Sequence, residues 1–453
     1  MNHSNTPTRQ YLNTFLLLIL CMMSCENKQE EHKEDSGPNI IIIMADDLGY
    51  GDLSCYGSKL INTPNLDRMS EEGMKFTDFH SNGVVCSPTR AALLTGRYQQ
   101  RSGIEGVVTA ANHRSVGLAI EETTFADALK AKDYVTGIFG KWHLGYPEKY
   151  NPIYQGFDEF IGFVSGNVDY HSHIDQEAYE DWWKQNKLTK EEGYTTDLIT
   201  EHALDFIKRH QQEKFILYIS HEAPHYPLQG RQSKAFRVVG EPRARGPETE
   251  TTVIYKEMIE VMDEGIGKIM DLLETLDLDE NTLVFFCSDN GGTGYADNGK
   301  LRGTKGSVWE GGHRVPAIAW WPGKIKAGQI NNDILMTMDI FPTMVNLTNG
   351  NNNTEFDGID FTQTLFKNET IEDRYLFWRH KHSKDQKKVA VRNGTWKLVI
   401  QDADVSPELY DLNNDLSEKN NVASEFPGIA KRLLTQLRKW EKEVSENVKS
   451  VAP

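Results

Sequence analysis

The residues of this chain that could do chemistry fall in a few dense clusters. Cys86 stands in Val85-Cys86-Ser87-Pro88-Thr89-Arg90, followed by Ala-Ala-Leu-Leu-Thr-Gly-Arg. The stretch Ser87 to Leu94 has helix-forming composition, and Pro88 suits a first helical turn, where its missing N–H has no intrahelical partner. Cys86 then lies at the positive end of a helix dipole with Arg90 one turn on, on the same face. Such a position suits a thiolate or a bound anion, unless the residue is simply a small buried cysteine. Asp46-Asp47 and Asp289-Asn290 are two pairs of hard oxygen donors. Three carboxylates and an amide, with no Cys/His cluster beside them, suit Ca²⁺ or Mg²⁺ better than Zn²⁺. Either pair alone would also serve as turn or cap residues. Arg90, Lys141, His143, His225 and Lys305 form a cationic set, Lys305 within the Gly-rich Leu301-Arg-Gly-Thr-Lys-Gly-Ser-Val-Trp-Glu-Gly-Gly312. Five cations around a metal site point to a pocket for a tetrahedral oxyanion, phosphate or sulfate.

These residues sit at the ends of strands. Asn39–Met44, Tyr134–Phe139, Phe215–Ser220 and Leu283–Cys287 are continuous apolar runs, the pattern of strands buried on both faces. They stop at Asp46-Asp47, Gly140-Lys-Trp-His143, His221-Glu-Ala-Pro-His225 and Ser288-Asp-Asn-Gly-Gly292 respectively. Helical patterns lie between them: one opened by Thr63 as N-cap with Pro64 at the first position, then Phe125–Lys132, Thr195–His210 and Val253–Leu276. Strands alternating with helices predict an α/β domain whose large, mostly parallel sheet binds its ligand beyond the carboxyl ends of the strands. After the polar Asn349–Asn353 the texture changes to short strands at 375–379, 388–392, 396–400 and 408–412, with an amphipathic closing helix at 425–444. The reading is a catalytic domain over 38–354 and a smaller C-terminal α+β subdomain over 355–453.

The net charge of −17 argues against nucleic acid as a partner, so attraction for an anion must come from a local pocket. At the N-terminus, Arg9 and the apolar run Phe15–Met23 read as a signal peptide over 1–24, too short to span a bilayer. Ser24-Cys25 resembles a bacterial lipoprotein cleavage site, with residues 25–37 as a flexible tether. The protein is therefore expected to be exported and held at the cell envelope, in the outer membrane or periplasm, by a lipid on Cys25. Cys55, Cys86 and Cys287 remain in the mature body, with no disulfide framework.

Taken together, the motifs resemble the formylglycine-dependent sulfatases of the alkaline-phosphatase-like superfamily. Cys86-Ser-Pro-Thr-Arg90 matches the Cys-x-Pro-x-Arg modification motif, and Leu93-Leu-Thr-Gly96 its continuation. Gly140-Lys-Trp-His143 resembles the second signature, while His225-Tyr-Pro, Ser288-Asp-Asn-Gly291, Lys305-Gly and Glu408-Leu-Tyr-Asp-Leu412 fall in family order over about residues 38–425. Val84, Asp133 and Phe139 depart from the usual pattern, at packing positions. The resemblance implies that Cys86 is oxidised to formylglycine by a maturation enzyme and that its aldehyde hydrate is the nucleophile. Asp46, Asp47, Asp289 and Asn290 would bind Ca²⁺ together with an oxygen of modified Cys86. Attack on sulfur would leave a sulfate on residue 86, its charge offset by Ca²⁺, Arg90, Lys141 and Lys305. His225, helped by Lys305, would protonate the leaving alcohol, and His143 would take the proton that expels sulfate.

Other readings are a phosphodiesterase or phosphonate hydrolase of the same superfamily, an inactive glycan-binding lipoprotein, or a thiol enzyme using unmodified Cys86. The expected substrate is a sulfated polysaccharide or its oligosaccharides, algal (such as ulvan) or glycosaminoglycan. His171 and His173, and Arg379 and His380, fall where recognition loops would line the pocket, with Trp378 available to stack on a sugar; ordinary packing is the alternative. For Trp182-Trp183 and Trp320-Trp321, core packing is expected.

Overall fold

The computed structural model describes residues 1, 37–242, 251–350, 355–381, 387–402, 405–446 and 448. The expected signal segment, Cys25 and the tether lie outside the described residues, apart from Met1 and Gly37. No helix among the described residues is long and apolar enough to cross a membrane.

In chain order the strands are β1 (Asn39–Ala45), β2 (Met74–Phe76), β3 (Phe79–His80), β4 (Val135–Lys141), β5 (Glu159–Phe163), β6 (Trp183–Lys184), β7 (Lys187–Leu188), β8 (Phe215–Ser220), β9 (Thr282–Ser288), β10 (Ala317–Trp320), β11 (Gln329–Asn331), β12 (Leu335–Met336), β13 (Tyr375–Lys381), β14 (Lys387–Asn393), β15 (Trp396–Ile400) and β16 (Glu408–Asp411). Ten of them form one sheet in the order β11-β2-β10-β9-β1-β8-β4-β5-β6-β7. The block from β9 through β1, β8 and β4 to β5 is parallel, and β10 and β6 flank it antiparallel. The expected α/β architecture, with a mixed and mostly parallel sheet, is thus observed. The four strands anticipated from apolar runs are the four contiguous central ones. Ile40 to Ile43 are wholly buried, and burial contributes about 1.5–3 kcal/mol for each such side chain. Alternation sends Ile40, Ile42 and Met44 into the core on one face and Ile41, Ile43 and Ala45 into that on the other.

The helices Phe125–Lys130, Thr195–Arg209 and Thr251–Thr275 appear where the pattern placed them. The helix Pro64–Glu72 does too, but its expected Thr63 cap is a correction: the Thr63 hydroxyl pairs with Ser54 instead. The orphan amides of Asn65 and Leu66 donate to Asp263, from the helix Thr251–Thr275, at 3.1 and 2.8 Å. Strands β13 to β16 form a separate antiparallel sheet in sequential order, closed by the helix Pro427–Glu443 through Leu433, Leu437 and Trp440. Val84, Val85 and Ala92 belong to that same third core, so the segment carrying Cys86 is seated on the C-terminal sheet. Trp182, Trp320 and Trp321 are core residues as expected, whereas Trp183 is half-buried on β6, next to the edge strand β7.

Candidate active site

Parallel register brings the chemistry together. Ala45 of β1 lies opposite Ser288 of β9, so Asp46-Asp47 and Asp289-Asn290 leave the sheet side by side. Lys141 ends β4, which pairs with β8 at Gly140 and Ser220. Facing these ends is the helix Cys86–Thr95, with Cys86 as its first residue. The turn before it is tied by Thr89 Oγ1, which accepts from the Gly83 amide at 2.9 Å and donates to the Gly83 carbonyl at 3.2 Å. A side chain at Gly83 would collide with Pro88, 2.7 Å from an added Cβ. Two backbone hydrogen bonds tie down the loop carrying Lys305, its amide donating to Gly292 O at 3.0 Å and that of Gly306 to Val84 O at 2.8 Å.

At the centre, Cys86 Sγ lies 3.5 Å from Asp46 Oδ1 and 3.2 Å from Lys305 Nζ. Lys305 also pairs with Asp47 Oδ1 at 2.6 Å, and Lys141 with Asp46 Oδ2 at 2.5 Å. Arg90 holds Asp289 Oδ2 through Nε and Nη2 at 3.1 and 2.8 Å and also donates to Ser220. Asn290 Nδ2 donates to Asp47 Oδ1 at 2.7 Å. Asp46, Asp47 and Asp289 therefore balance Arg90, Lys141 and Lys305 charge for charge. Asp47 Oδ2 and Asn290 Oδ1 are buried and accept no hydrogen bond among the described residues. Unsatisfied hard oxygens beside two further carboxylates fit a divalent hard cation, which would leave the site with the positive surplus an oxyanion needs.

Burial pushes the Cys86 thiol up to about 12, with Asp46 adding to the rise and Lys141 and Lys305 opposing it. Without a bound cation, these surroundings favour the thiol over the thiolate that a helix N-terminus alone suggests. Asp47 falls to about 2, because Lys305 and His225 outweigh its desolvation, whereas burial and Asp46 lift Asp289 to about 6. His143 is pulled well below its usual range by burial and then by Lys141 and Arg90. Both its ring nitrogens are buried without a partner among the described residues. It is a neutral imidazole with free lone-pair capacity, held in the left-handed region at φ 60°. Asp47 shares that strained conformation at φ 66°. His225 contacts Tyr226 O through Nδ1 at 2.5 Å, which makes Nδ1 the protonated nitrogen and leaves Nε2, 3.6 Å from Asp47 Oδ2, to gain or lose a proton.

Above this floor opens a cleft of about 700 Å³ lined by Asp47, Cys86, His143, His225 and Lys305. Arg90 and Lys141 do not line it; both are fully buried, paired with Asp289 and Asp46. None of the four residues expected to bind substrate lines it either. His171 bonds Gly230 O at 3.0 Å through Nε2, and His173 is buried in a stack on Trp182. Arg379 forms a buried bidentate pair with Glu105 at 2.9 and 2.8 Å, and His380 is half-buried beside it on β13. Trp378 is a correction: it has no exposed surface and stacks on His313, so no sugar reaches it. The cleft wall comes instead from Tyr146, Asn167, Gln176, Tyr226 and Tyr295. Only Tyr226 had a sequence signal, as the neighbour of His225.

A second buried acid–histidine cluster joins the C-terminal sheet to the body. Lys397 Nζ lies 2.9 Å from both Glu310 and Glu418 and 3.1 Å from His313 Nε2. His313 Nδ1 meets His80 Nδ1 at 2.9 Å, and His80 Nε2 meets Asp78 at 2.8 Å. The lysine sits where an ion would, so this cluster is a salt-bridged joint. Cys55 and Cys287 are unpaired.

Strand-end carboxylates that fit a metal, an adjoining residue at a helix N-terminus and a cation-backed cleft define a metal-assisted esterase of tetrahedral oxyanions. The sulfatase family model matches residues 38–350, and that of the N-sulphoglucosamine sulphohydrolase C-terminal region matches residues 304–443. The chain belongs to the sulfatase family and is a sulfuric ester hydrolase. Human N-acetylgalactosamine-6-sulfatase is 36% identical over 369 residues, spanning 75% of this chain and 68% of that protein. Human arylsulfatase A is 32% identical over 461 residues, 89% and 87% of the two chains. The crystal structure of Ps i-CgsB, also solved in complex with k-i-k-neocarrahexaose, superposes with a TM-score of 0.81 at 29% identity, covering 92% of this chain and 94% of that one.

Proposed function

We propose that this sulfatase acts on sulfated carbohydrate through formylglycine at position 86 and a Ca²⁺ ion. The observation that carries the reading is the setting of Cys86. It lies on the cleft floor as the first residue of its helix, with its Sγ 3.5 Å from the Asp46 carboxylate and 3.2 Å from the Lys305 ammonium. Formylglycine, as its hydrate, would supply an oxygen nucleophile in place of sulfur. Asp46, Asp47, Asp289 and Asn290 would hold Ca²⁺, whose charge would help offset that of the sulfuryl oxygens. Lys305, the one Lys or Arg lining the cleft among the described residues, would face those oxygens. His225, anchored through Nδ1, would deliver a proton from Nε2 to the leaving alcohol. An anionic ester arriving beside it favours the protonated imidazole that this needs. His143, neutral and unpartnered, would accept a proton from the group at position 86.

The carbohydrate assignment is supported by the name of the N-acetylgalactosamine-6-sulfatase relative and by the k-i-k-neocarrahexaose complex of Ps i-CgsB. We extend the reading to the cell envelope, on the apolar run 15–23 and the Ser24-Cys25 step. Mass spectrometry of the peptide carrying residue 86, paired with sulfate release from defined sulfated oligosaccharides, tests the chemistry. An unmodified cysteine in fully active enzyme overturns the formylglycine assignment, and a strong preference for phosphodiesters overturns the substrate assignment.

A further inference from the structure

Lys305 is delivered by a loop whose two ends are clipped by one short segment that follows β16. Between β9 and the helix Glu310–His313 the chain runs from Asp289 to Trp309 without a strand or helix. Arg302 O accepts from the Gly311 amide at 2.8 Å, which closes a neck with Lys305 at the head of the loop. Only glycine fits at 311, because an added Cβ would stand 2.3 Å from Gly303 O. On one side of the neck Ser417 Oγ donates to Lys300 O at 2.8 Å, and on the other Glu418 Oε2 accepts from the Glu310 amide at 2.7 Å. Arg302 completes the clip. Its Nη1 donates to Glu418 O at 2.5 Å and to Tyr410 Oη at 3.1 Å, and its guanidinium carbon lies 3.8 Å from the centre of the Trp309 ring. The anchor is itself fixed. Glu418 is wholly buried, its Oε1 lies 2.9 Å from Lys397 Nζ of β15, and its backbone is held in the left-handed region at φ 49°.

Such anchoring matters most when the ammonium gives up its present partner. Lys305 Nζ is paired with Asp47 Oδ1 at 2.6 Å. A cation on Asp47 would compete for that carboxylate, and an arriving sulfate would draw the ammonium toward its own oxygens. A lysine stem is flexible, so where its head then stands depends on the backbone beneath it. Arg302 ties that backbone, three residues before Lys305, to a rigid carbonyl beside the C-terminal sheet. We infer that Arg302 is a positioning residue for Lys305: clamped between Glu418, Tyr410 and Trp309, it holds the loop so that the ammonium meets the sulfuryl group at position 86. The C-terminal sheet thereby contributes to turnover without touching substrate. This rests on the role given to Lys305 in the reading above.

The test is a double-mutant cycle in the full, matured enzyme, normalised to formylglycine content. Kinetics are taken on the fastest substrate among 4-nitrophenyl sulfate and a panel of defined sulfated oligosaccharides. Arg302→Met keeps an apolar stem against Trp309 but donates nothing to Glu418 or Tyr410. It should lower kcat by on the order of tenfold to a hundredfold, the usual cost of misplacing a reacting group by about 1 Å, with KM nearly unchanged. In enzyme already carrying Lys305→Met, the same change should cost less than about twofold, since the group it positions is gone. Arg302→Lys, which can still donate to Glu418 O, should recover most of the kcat. Equal losses in both backgrounds, or a loss that follows the unfolded fraction in chemical denaturation, would make Arg302 merely structural and overturn the inference. So would Arg302→Met at the wild-type rate. If Lys305→Met itself turns over at the wild-type rate, the role proposed for Lys305 falls and the inference with it. An enzyme carrying formylglycine yet silent on every substrate overturns the proposed function and, with it, the inference.

Discussion

Lys305 Nζ lies 3.2 Å from Cys86 Sγ, from a loop that follows β9 some 219 residues further along the chain. Two backbone hydrogen bonds fix that loop to the end of β9 and to the residue two before Cys86, so the contact is preformed. Replacing Lys305 with Met should lower kcat by on the order of 10²–10³, the usual loss of a preorganised group facing developing charge. Single-turnover sulfate release checks it. A loss confined to KM would instead make Lys305 a binding residue only.

The metal assignment predicts a stability effect separate from activity. Ca²⁺ at about 100 times its Kd should stabilise the fold by about 2.7 kcal/mol, seen as a rise in Tm that chelation reverses. Asp47→Ala and Asn290→Ala each remove a donor with a buried unsatisfied oxygen and should abolish that rise. The same rise in either variant would rule these residues out as ligands.

Gly166 leaves room for the His143 ring: an added Cβ would come within 2.8 Å of Nε2. Gly166→Ala should displace the imidazole and reduce turnover at least tenfold, with little change in the folded state by circular dichroism. Wild-type rates in this variant would show that His143 needs no fixed position.

His221 and His173 are buried, and desolvation lowers each to about 4 in the folded protein. Unfolded, each takes up its proton near 6.5. Between those values the unfolded chain binds more protons, so stability is full above about pH 6.5 and falls as the pH drops towards 4. The loss is of the order of 3 kcal/mol for each residue at about 1.4 kcal/mol per unit. Thermal unfolding from pH 7.5 to 4.5 should show this decline, and His221→Gln should flatten part of it. An unaltered slope in that variant would exclude His221 as a source.

Lys397→Met should be severe, because it leaves Glu310 and Glu418 buried and facing one another without their lysine. The expected cost is about 3–5 kcal/mol in chemical denaturation. Adding Glu310→Gln and Glu418→Gln to Lys397→Met should recover part of it. No recovery would mean that the lysine acts through packing on Trp378, whose ring centroid is 5.8 Å away.

Much of this protein is legible along the chain, for a physical reason. A strand buried on both faces excludes polar side chains from its length, so Ile40–Ile43 and Leu283–Cys287 announce themselves and the first polar residues after them mark the sheet's working edge. The nucleophile segment is similarly local, because Gly83, Pro88 and Thr89 shape one turn. Short strands such as β2, β5 and β10 lack that signature, and only the tertiary structure reveals them. Tertiary packing alone decided which charges meet the cleft. Arg90 and Lys141 carry the same charge as Lys305, yet they are sealed behind Asp289 and Asp46, while Trp378 and Arg379 are drawn into the joint with the C-terminal sheet. The clamp on Arg302 is likewise invisible in sequence, since its guanidinium meets the Glu418 carbonyl, 116 residues on, only once the chain has folded.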